Sequence, residues 1–295
     1  MNYIILDLEW DGAFYPKIGR FINQILQIGA VKLNEDFDII DTFDKTIKSS
    51  FSKRVSRRFR ELTGITKEIM LSGISLTEAF DQYNSWVGEN AVTMTWSNSD
   101  IYTVIENQDN LVSNKLKIEK YVDLQKFIQG EMRLRGIEYP SQISLLNAAN
   151  ALNISIDETL LHNAKADSIA AAALLKVCYN KERFESFITD TSDPEFFKKF
   201  TFKPYYITDI NDENIDITQF CFVCDKCGEP LILKGNWRIH NCGFFADMYC
   251  KNCKLKYSAR VRFRKLFDTV KVKRSLYIKK PKIKNQETKD RTQDK

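Results

Sequence analysis

Over the first 180 residues, short aliphatic runs alternate with segments of helical period. "YIILDLEW" (3–10), "QILQIGAVKLN" (24–34) and "FDIIDTFDKTIK" (37–48) read as three successive strands, with "NED" as a tight turn before the third. "FSKRVSRRFRELTGIT" (51–66) reads as a helix ending near Gly64, a residue suited to a left-handed C-cap. "SLTEAFDQYNSWVG" (75–88) opens with Ser75 and carries Glu78 three residues on, a capping-box pattern, and closes at Gly88. "AVTMTWS" (91–97) predicts a fourth strand leading into the helix "DIYTVIENQ", and "KYVDLQKF" (120–127) a further short strand. Helices are expected near 141–152 and 163–180. The order β-β-β-α-β-α-β-α-α predicts an α/β layer architecture with a mixed sheet.

Between about 181 and 220 the pattern becomes irregular, rich in Phe, Thr and Asp, with two prolines. The expected organisation is a domain over 1–181, a linker over 182–220, a small domain over 221–278 and a basic tail over 279–295. A hydrophobic fraction of 43% excludes a disordered chain. The longest apolar stretch, "IAAAALL" (169–175), is far too short to span a membrane. No basic region precedes an apolar run at the N-terminus, so a soluble, cytoplasmic protein is expected.

Charge changes the picture at one end. Residues 254–295 hold 16 Lys/Arg against 4 Asp/Glu, a local balance of +12 in a chain whose total is +5. Such asymmetry suits contact with a polyanion, nucleic acid first. Six of the seven cysteines fall between 221 and 253, which points to metal binding rather than disulfides. "CDKC" and "CKNC" supply Cys224, Cys227, Cys250 and Cys253, two C-x2-C pairs separated by 22 residues. Four thiolates in that pattern form a closed tetrahedral site for one structural Zn²⁺. Cys221, His240 and Cys242 are spare ligand candidates, with simple burial as the other reading for each. The strand "KYSARVRFRKLF" (256–267) alternates Arg260, Arg262 and Arg264 with Val261 and Phe263, so one face is basic. A basic face beside aromatics suits phosphates and stacked bases.

The first strand carries the main chemical signal. Residues two apart share a face, so Asp7 and Glu9 converge at the end of an otherwise apolar strand. Adjacent carboxylates there repel and need a compensating cation, such as a divalent metal. Asp100 follows a second apolar strand at the start of a helix. His162 and Asp167 lie where an Ala-rich helix begins, in a chain with two histidines. Five residues on a continuous helix is about 140° of rotation, so both meet one site only if His162 sits in the preceding loop.

The order D-x-E, a distal Asp after a strand, then H-x4-D resembles the DEDDh 3′–5′ exonucleases, whose fold is ribonuclease H-like. "ILQIGAVKL", "RELTGIT" and "HNAKADSIAAAALL" are similar to stretches of that superfamily over residues 1 to about 180. The spacing is closest in flavour to the enhanced-RNAi-type subgroup, which includes histone-mRNA 3′-end exonucleases. Two positions depart from it: Lys165 stands where Leu is usual, and Trp10 where a small residue is common. The resemblance implies a single-stranded RNA or DNA substrate, RNA favoured, and two Mg²⁺ or Mn²⁺ ions held by Asp7, Glu9, Asp100 and Asp167. It implies His162 as general base, and Trp10 beside the terminal nucleotide. Two cations held by carboxylates meet the needs of phosphodiester hydrolysis independently: a water nucleophile at neutral pH and charge neutralisation at the attacking and leaving oxygens. A DNA-directed proofreading-type exonuclease and a catalytically dead zinc-ribbon binding protein are the competing expectations.

Overall fold

Strand β1 (Asn2–Tyr15) runs five residues beyond the end of its apolar run at Trp10 and pairs antiparallel with β2 (Arg20–Leu33) from Tyr3 to Tyr15. The two are joined by a single 3₁₀ turn over Pro16–Ile18, closed by Gly19 at φ 66°. Proline sets the first turn position, and glycine takes the left-handed one without a Cβ penalty. Beyond Trp10 the apolar alternation fades: Phe14 and Phe21 are exposed, while Ile22 stays buried and Asn23 bonds to Glu106 and Asn107 of the helix Ser99–Asn110. The computed structural model describes residues 2–279; the basic tail expected over 279–295 therefore lies, from residue 280, outside the described residues.

The chain divides into two units, Met1–Thr201 and Phe202–Lys295. In the first, β3 (Ile39–Thr46) pairs antiparallel with β2, and β4 (Ala91–Thr95) pairs parallel with β1. β5 (Lys120–Asp123) continues parallel to β4, and the two-residue β6 (Thr189–Asp190) closes the edge antiparallel to β5. The sheet order is β3-β2-β1-β4-β5-β6. This is the mixed sheet of a ribonuclease H-like fold. All five residues of β4 are buried, as a strand covered on both faces requires.

Helices α1 (Arg57–Thr63), α2 (Lys67–Ser72), α3 (Leu76–Val87), α4 (Ser99–Asn110) and α5 (Leu124–Leu134) follow the early strands. α6 (Leu145–Ala151), α7 (Ala164–Cys178), α8 (Lys181–Phe187) and α9 (Pro194–Thr201) complete the unit. One apolar layer joins Leu6, Leu8, Ile28, Phe80, Tyr83 and Val104. The other joins Ile5, Val31, Val92, Phe127, Leu174 and Phe184. Burying each such side chain contributes about 1.5–3 kcal/mol.

Three expectations shift. The helix expected over 51–66 is two short ones, because Ser56 caps α1, Gly64 ends it at φ 72°, and Thr66 caps α2. The strand expected over 120–127 stops at Asp123, whose side chain accepts from the Lys126 N–H at 3.1 Å and starts α5. The stretch expected as linker carries α8 and α9, whose Phe184, Phe196 and Phe200 are buried in the two layers, so the division falls after Thr201.

The second unit is an antiparallel sheet of β8 (Ile232–His240), β9 (Gly243–Tyr249), β10 (Lys256–Lys265) and β11 (Val270–Ile278), in the order β11-β10-β9-β8. The short β7 (Tyr205–Tyr206) pairs with β10 at Arg264 and Lys265. Phe244, Met248, Tyr257, Ala259, Val261 and Phe263 line the covered face, with Ile207 and Phe222 against them.

Candidate active site and cysteine cluster

The carboxylates meet where β1, α4 and α7 approach one another. Along β1 the Asp7 and Glu9 side chains leave the same face, and each is partly buried. Asp100 is the second residue of α4 and is 3% exposed; its Oδ1 accepts the Leu8 backbone N–H at 3.1 Å. That bond fixes α4's first turn against β1 one residue from each member of the acidic pair.

Asp167 arrives from the opposite side through a close contact at Gly29. Gly29 stands opposite Asp7 in the β1–β2 register. A Cβ there would lie 2.1 Å from the Lys165 nitrogen and 2.2 Å from the Ala164 carbonyl carbon, so the first turn of α7 rests on bare backbone. Ser168 Oγ donates to the carbonyl oxygens of Gly29 (3.2 Å) and Ala164 (2.9 Å). The Gln27 side-chain oxygen takes the Ala164 N–H at 3.4 Å, and Asn163 caps the helix by accepting from Ala166 at 3.1 Å. Lys165 pairs with Asp44 at 3.1 Å and so points along β3. Gly29 and Ser168 were not singled out from the sequence, although a glycine inside an apolar strand is the usual mark of a close backbone approach.

His162 precedes the helix, is exposed, and sits at φ 65°. Few non-glycine residues hold this left-handed conformation without a local reason. Here its backbone N–H donates to Asp167 Oδ2 at 3.3 Å. Ligand atoms of Glu9, His162 and Asp167 lie within 4.8 Å of one another. All five residues are thus brought to one place.

Electrostatics marks the same place. Burial pushes Asp7 well above the ordinary carboxylate range, and Asp100, Asp167 and Glu9 add like-charge repulsion. Glu9 is pushed up to about 8 by burial, then by Asp167 and Asp100. Asp100 rises to about 7 through burial, opposed by the N–H groups of Leu8 and of Asp100 itself. Asp167 rises to about 6 through burial, opposed by the His162 N–H and the His162 charge. Asp167 Oδ1 is buried without a hydrogen-bond partner. Four crowded carboxylates of raised proton affinity and a buried, unpaired oxygen are a donor set suited to hard cations. Trp10 is half-buried and packs against the apolar layer containing Leu8, on the face of β1 away from Asp7 and Glu9.

In the second unit, Cys224, Cys227, Cys250 and Cys253 offer sulfurs all within 4.8 Å of one another. Two of the separations are 3.8 Å (Cys224–Cys253) and 3.5 Å (Cys227–Cys250). A tetrahedron with metal–sulfur arms of about 2.3 Å has edges of about 3.8 Å, so the cluster has the size a zinc ion requires. Tyr257, which sequence reasoning missed, places its hydroxyl 3.1 Å from Cys224 Sγ and also bonds to Asp225. The contact with Tyr257 lowers Cys224 to about 6, toward the thiolate a metal needs. Cys221, His240 and Cys242 stand apart from the cluster and are exposed, which corrects the expectation of burial. Cys242 is in the tight β8–β9 turn at φ 54°, and Cys221 follows a 3₁₀ turn outside the sheet.

Residues 4–175 match the exonuclease family RNase_T, more than half of the chain, and the chain belongs to that family. Among curated proteins, the DNA polymerase III PolC-type of Thermotoga petrophila is 25% identical over 145 residues, 49% of this chain and 10% of that protein. That of Staphylococcus saprophyticus is 27% identical over 88 residues, 30% of this chain and 6% of that protein. The chain thus spans about a tenth or less of the length of the curated relatives it matches. Among solved structures, cell-death related nuclease 4 superposes with a TM-score of 0.51 at 17% identity, covering 60% of this chain and 62% of that one. A 3′-exonuclease solved in 3′-end recognition of a histone mRNA stem-loop gives 0.51 at 17% identity, covering 64% and 84%. At such identities these two show the shared fold.

Proposed function

We propose that the chain is a metal-dependent 3′–5′ exonuclease that hydrolyses phosphodiester bonds of single-stranded nucleic acid in the cytoplasm, with RNA the favoured substrate. The observation that carries the reading is the convergence of Asp7, Glu9, Asp100 and Asp167, all of raised proton affinity, with His162 held against Asp167. A purely structural core gains nothing from four crowded carboxylates, which argues against a dead scaffold.

Asp7, Glu9 and Asp167 would hold one divalent ion, Mg²⁺ or Mn²⁺, with Asp7 and Asp100 supporting a second. Bound there, the pair supplies charge neutralisation at the phosphate and a more acidic water. His162 takes the proton of the attacking water on its imidazole. Its exposure leaves the ring free to reach substrate, and the bond from its backbone to Asp167 fixes where the ring starts. Water oxygen forms the new bond to phosphorus while the bond to the 3′ oxygen breaks. The terminal nucleotide leaves as a 5′-monophosphate, and the shortened strand keeps a 3′-hydroxyl, protonated from solvent. The four cysteines would hold one structural Zn²⁺.

The histone mRNA stem-loop recognised by one fold neighbour favours RNA. The PolC-type relatives favour DNA as the second reading. The test uses matched RNA and DNA oligonucleotides labelled at either end, with Mg²⁺, Mn²⁺ or EDTA. Loss of the 3′ label first, and only with metal, supports the proposal; internal cuts or no cleavage overturn it. Asp7→Asn should abolish turnover. His162→Ala should lose at least 100-fold in rate while keeping the metal-induced rise in melting temperature.

A further inference from the structure

The uncovered face of the second unit's sheet is built from positions two apart on each strand. Val261 and Phe263 of β10 are fully buried on the other side, which leaves Arg260, Arg262 and Arg264 on this one. The register sets Lys273 beside Arg262 and Lys271 beside Arg264 on β11, and Phe245 beside Arg260 on β9. Arg238 of β8 lies across from Phe245 in turn. Six cations from three strands therefore share one surface. Along strands β8–β11 the sole acidic residue is Asp247, already engaged by Lys279 at 2.5 Å and Arg238 at 3.7 Å.

The arginines at the centre are arranged rather than splayed into water. The Arg260 guanidinium stacks over Phe245 with 4.6 Å to the ring centroid, and Arg264 lies 5.9 Å from the Tyr206 ring. Arg260 also donates to the Asn241 carbonyl at 3.2 Å. A Cβ on Gly243 would meet Arg262 Cγ at 2.8 Å and Arg260 Nε at 3.3 Å, so both stems lie flat across that glycine. The Nε atoms of Arg260 and Arg262 are buried and lack partners. Like charges crowded this closely repel one another, and a polyanion laid across the face would offset that repulsion. Phe245 and the exposed rings of Tyr206 and Tyr277 add flat apolar surfaces between the cations.

We propose that this face binds a single-stranded polynucleotide, with phosphates on Arg260, Arg262, Arg264, Lys271 and Lys273 and bases stacked on Phe245 and Tyr206. Rows of cations interleaved with aromatic rings are what a flexible phosphodiester chain with stackable bases requires. A duplex offers phosphates but no free base faces, so it binds this surface less tightly. The surface stands independently of the exonuclease reading, since it uses no residue of the carboxylate site.

The test measures binding of fluorescent single-stranded 20-mers, RNA and DNA, to the full zinc-loaded chain carrying Asp7→Asn, by anisotropy across a salt series. Because binding is read in that background, the result does not depend on whether the unsubstituted chain cuts the oligonucleotide. Replacing all three arginines (R260Q/R262Q/R264Q) should weaken binding at least tenfold and reduce the salt slope by about 2, the loss of three single-strand phosphate contacts. The charge reversal K271E/K273E, on an exposed strand that tolerates it, should act in the same direction. Phe245→Ala should cost about tenfold with the salt slope unchanged, as loss of base stacking does. Zinc content and melting temperature, measured alongside, identify any variant that has failed to fold. Unchanged affinity and slope in folded K271E/K273E would overturn the proposal. So would retained oligonucleotide binding alongside lost binding to polyglutamate, which would assign the face to an acidic peptide instead.

Discussion

The contact at Gly29 makes the sharpest prediction about the carboxylate site, because it perturbs Asp167 without touching any of the five site residues. In Gly29→Ala the added methyl meets Lys165 N at 2.1 Å, the Ala164 carbonyl carbon at 2.2 Å and the Ala164 Cβ at 2.7 Å. None of these atoms can swing aside by a change of rotamer. To restore ordinary van der Waals contact, the first turn of α7 must retreat by more than about 1 Å. Asp167 lies three residues along that turn and moves with it, away from Asp7, which stands opposite Gly29. Misplacement of a reacting group by about 1 Å costs on the order of 100-fold in rate. Overpacking of this kind costs about 1–3 kcal/mol of stability. The melting temperature should fall by roughly 2–4 °C for each of those kilocalories. The assay is single-turnover hydrolysis of a 5′-labelled oligonucleotide, with calorimetry on the same preparation. Gly12→Ala is the control, since its Cβ would come no nearer than 3.8 Å to Asn23 Oδ1. Gly130→Ala is the second, with open space around it inside α5. Both should keep full activity, and the second should gain up to about 1 kcal/mol. A Gly29→Ala protein with more than half the original rate and an unchanged melting temperature would refute the claim that this close approach positions Asp167.

The raised carboxylates predict a pH dependence of stability. An acid that holds its proton more tightly when folded stabilises the fold while protonated and loses that contribution as pH rises from its unfolded to its folded pKa. For Glu9 (about 8), Asp100 (about 7) and Asp167 (about 6) the window runs from about 4 to about 8. Metal-free protein should therefore melt several degrees lower at pH 8 than at pH 5.5, and added Mg²⁺ should raise the melting temperature more at pH 8; an equal response at both pH values would contradict the coupling. Cys227→Ser should remove the zinc measured by elemental analysis and melt the second unit, leaving the helical signal of the first. A fully folded second unit without zinc would show that its core of Phe244, Val261 and Phe263 suffices on its own.

What could be read ahead of the structure follows how local each signal is. Asp7 and Glu9 were readable because two-residue alternation on a strand is a property of eight consecutive residues. His162 and Asp167 were readable as a pair, but their five-residue spacing conflicts with a continuous helix. The conflict is resolved by one backbone angle, His162 at φ 65°, which no local pattern announces. Gly29 and Ser168, which bring that pair to β1, depend on a contact across more than 130 residues of chain. The buried phenylalanines of α8 and α9 escaped notice for a different reason. Helices of seven or eight residues show too few turns for their period to stand out, and their burial is decided by the layers they meet. In the second unit, β10 was clear because Val261 and Phe263 alternate with arginines, whereas β8 was hidden by Gly235 at φ 82° and a register shift between Lys234 and Arg238. Pairing also decides the function: the arginines of β10 were visible, but the basic face exists only once the register sets β11's lysines and β9's Phe245 beside them. Chemistry confined to one strand or one turn is thus written locally, and the surfaces that assemble it are written in the pairing.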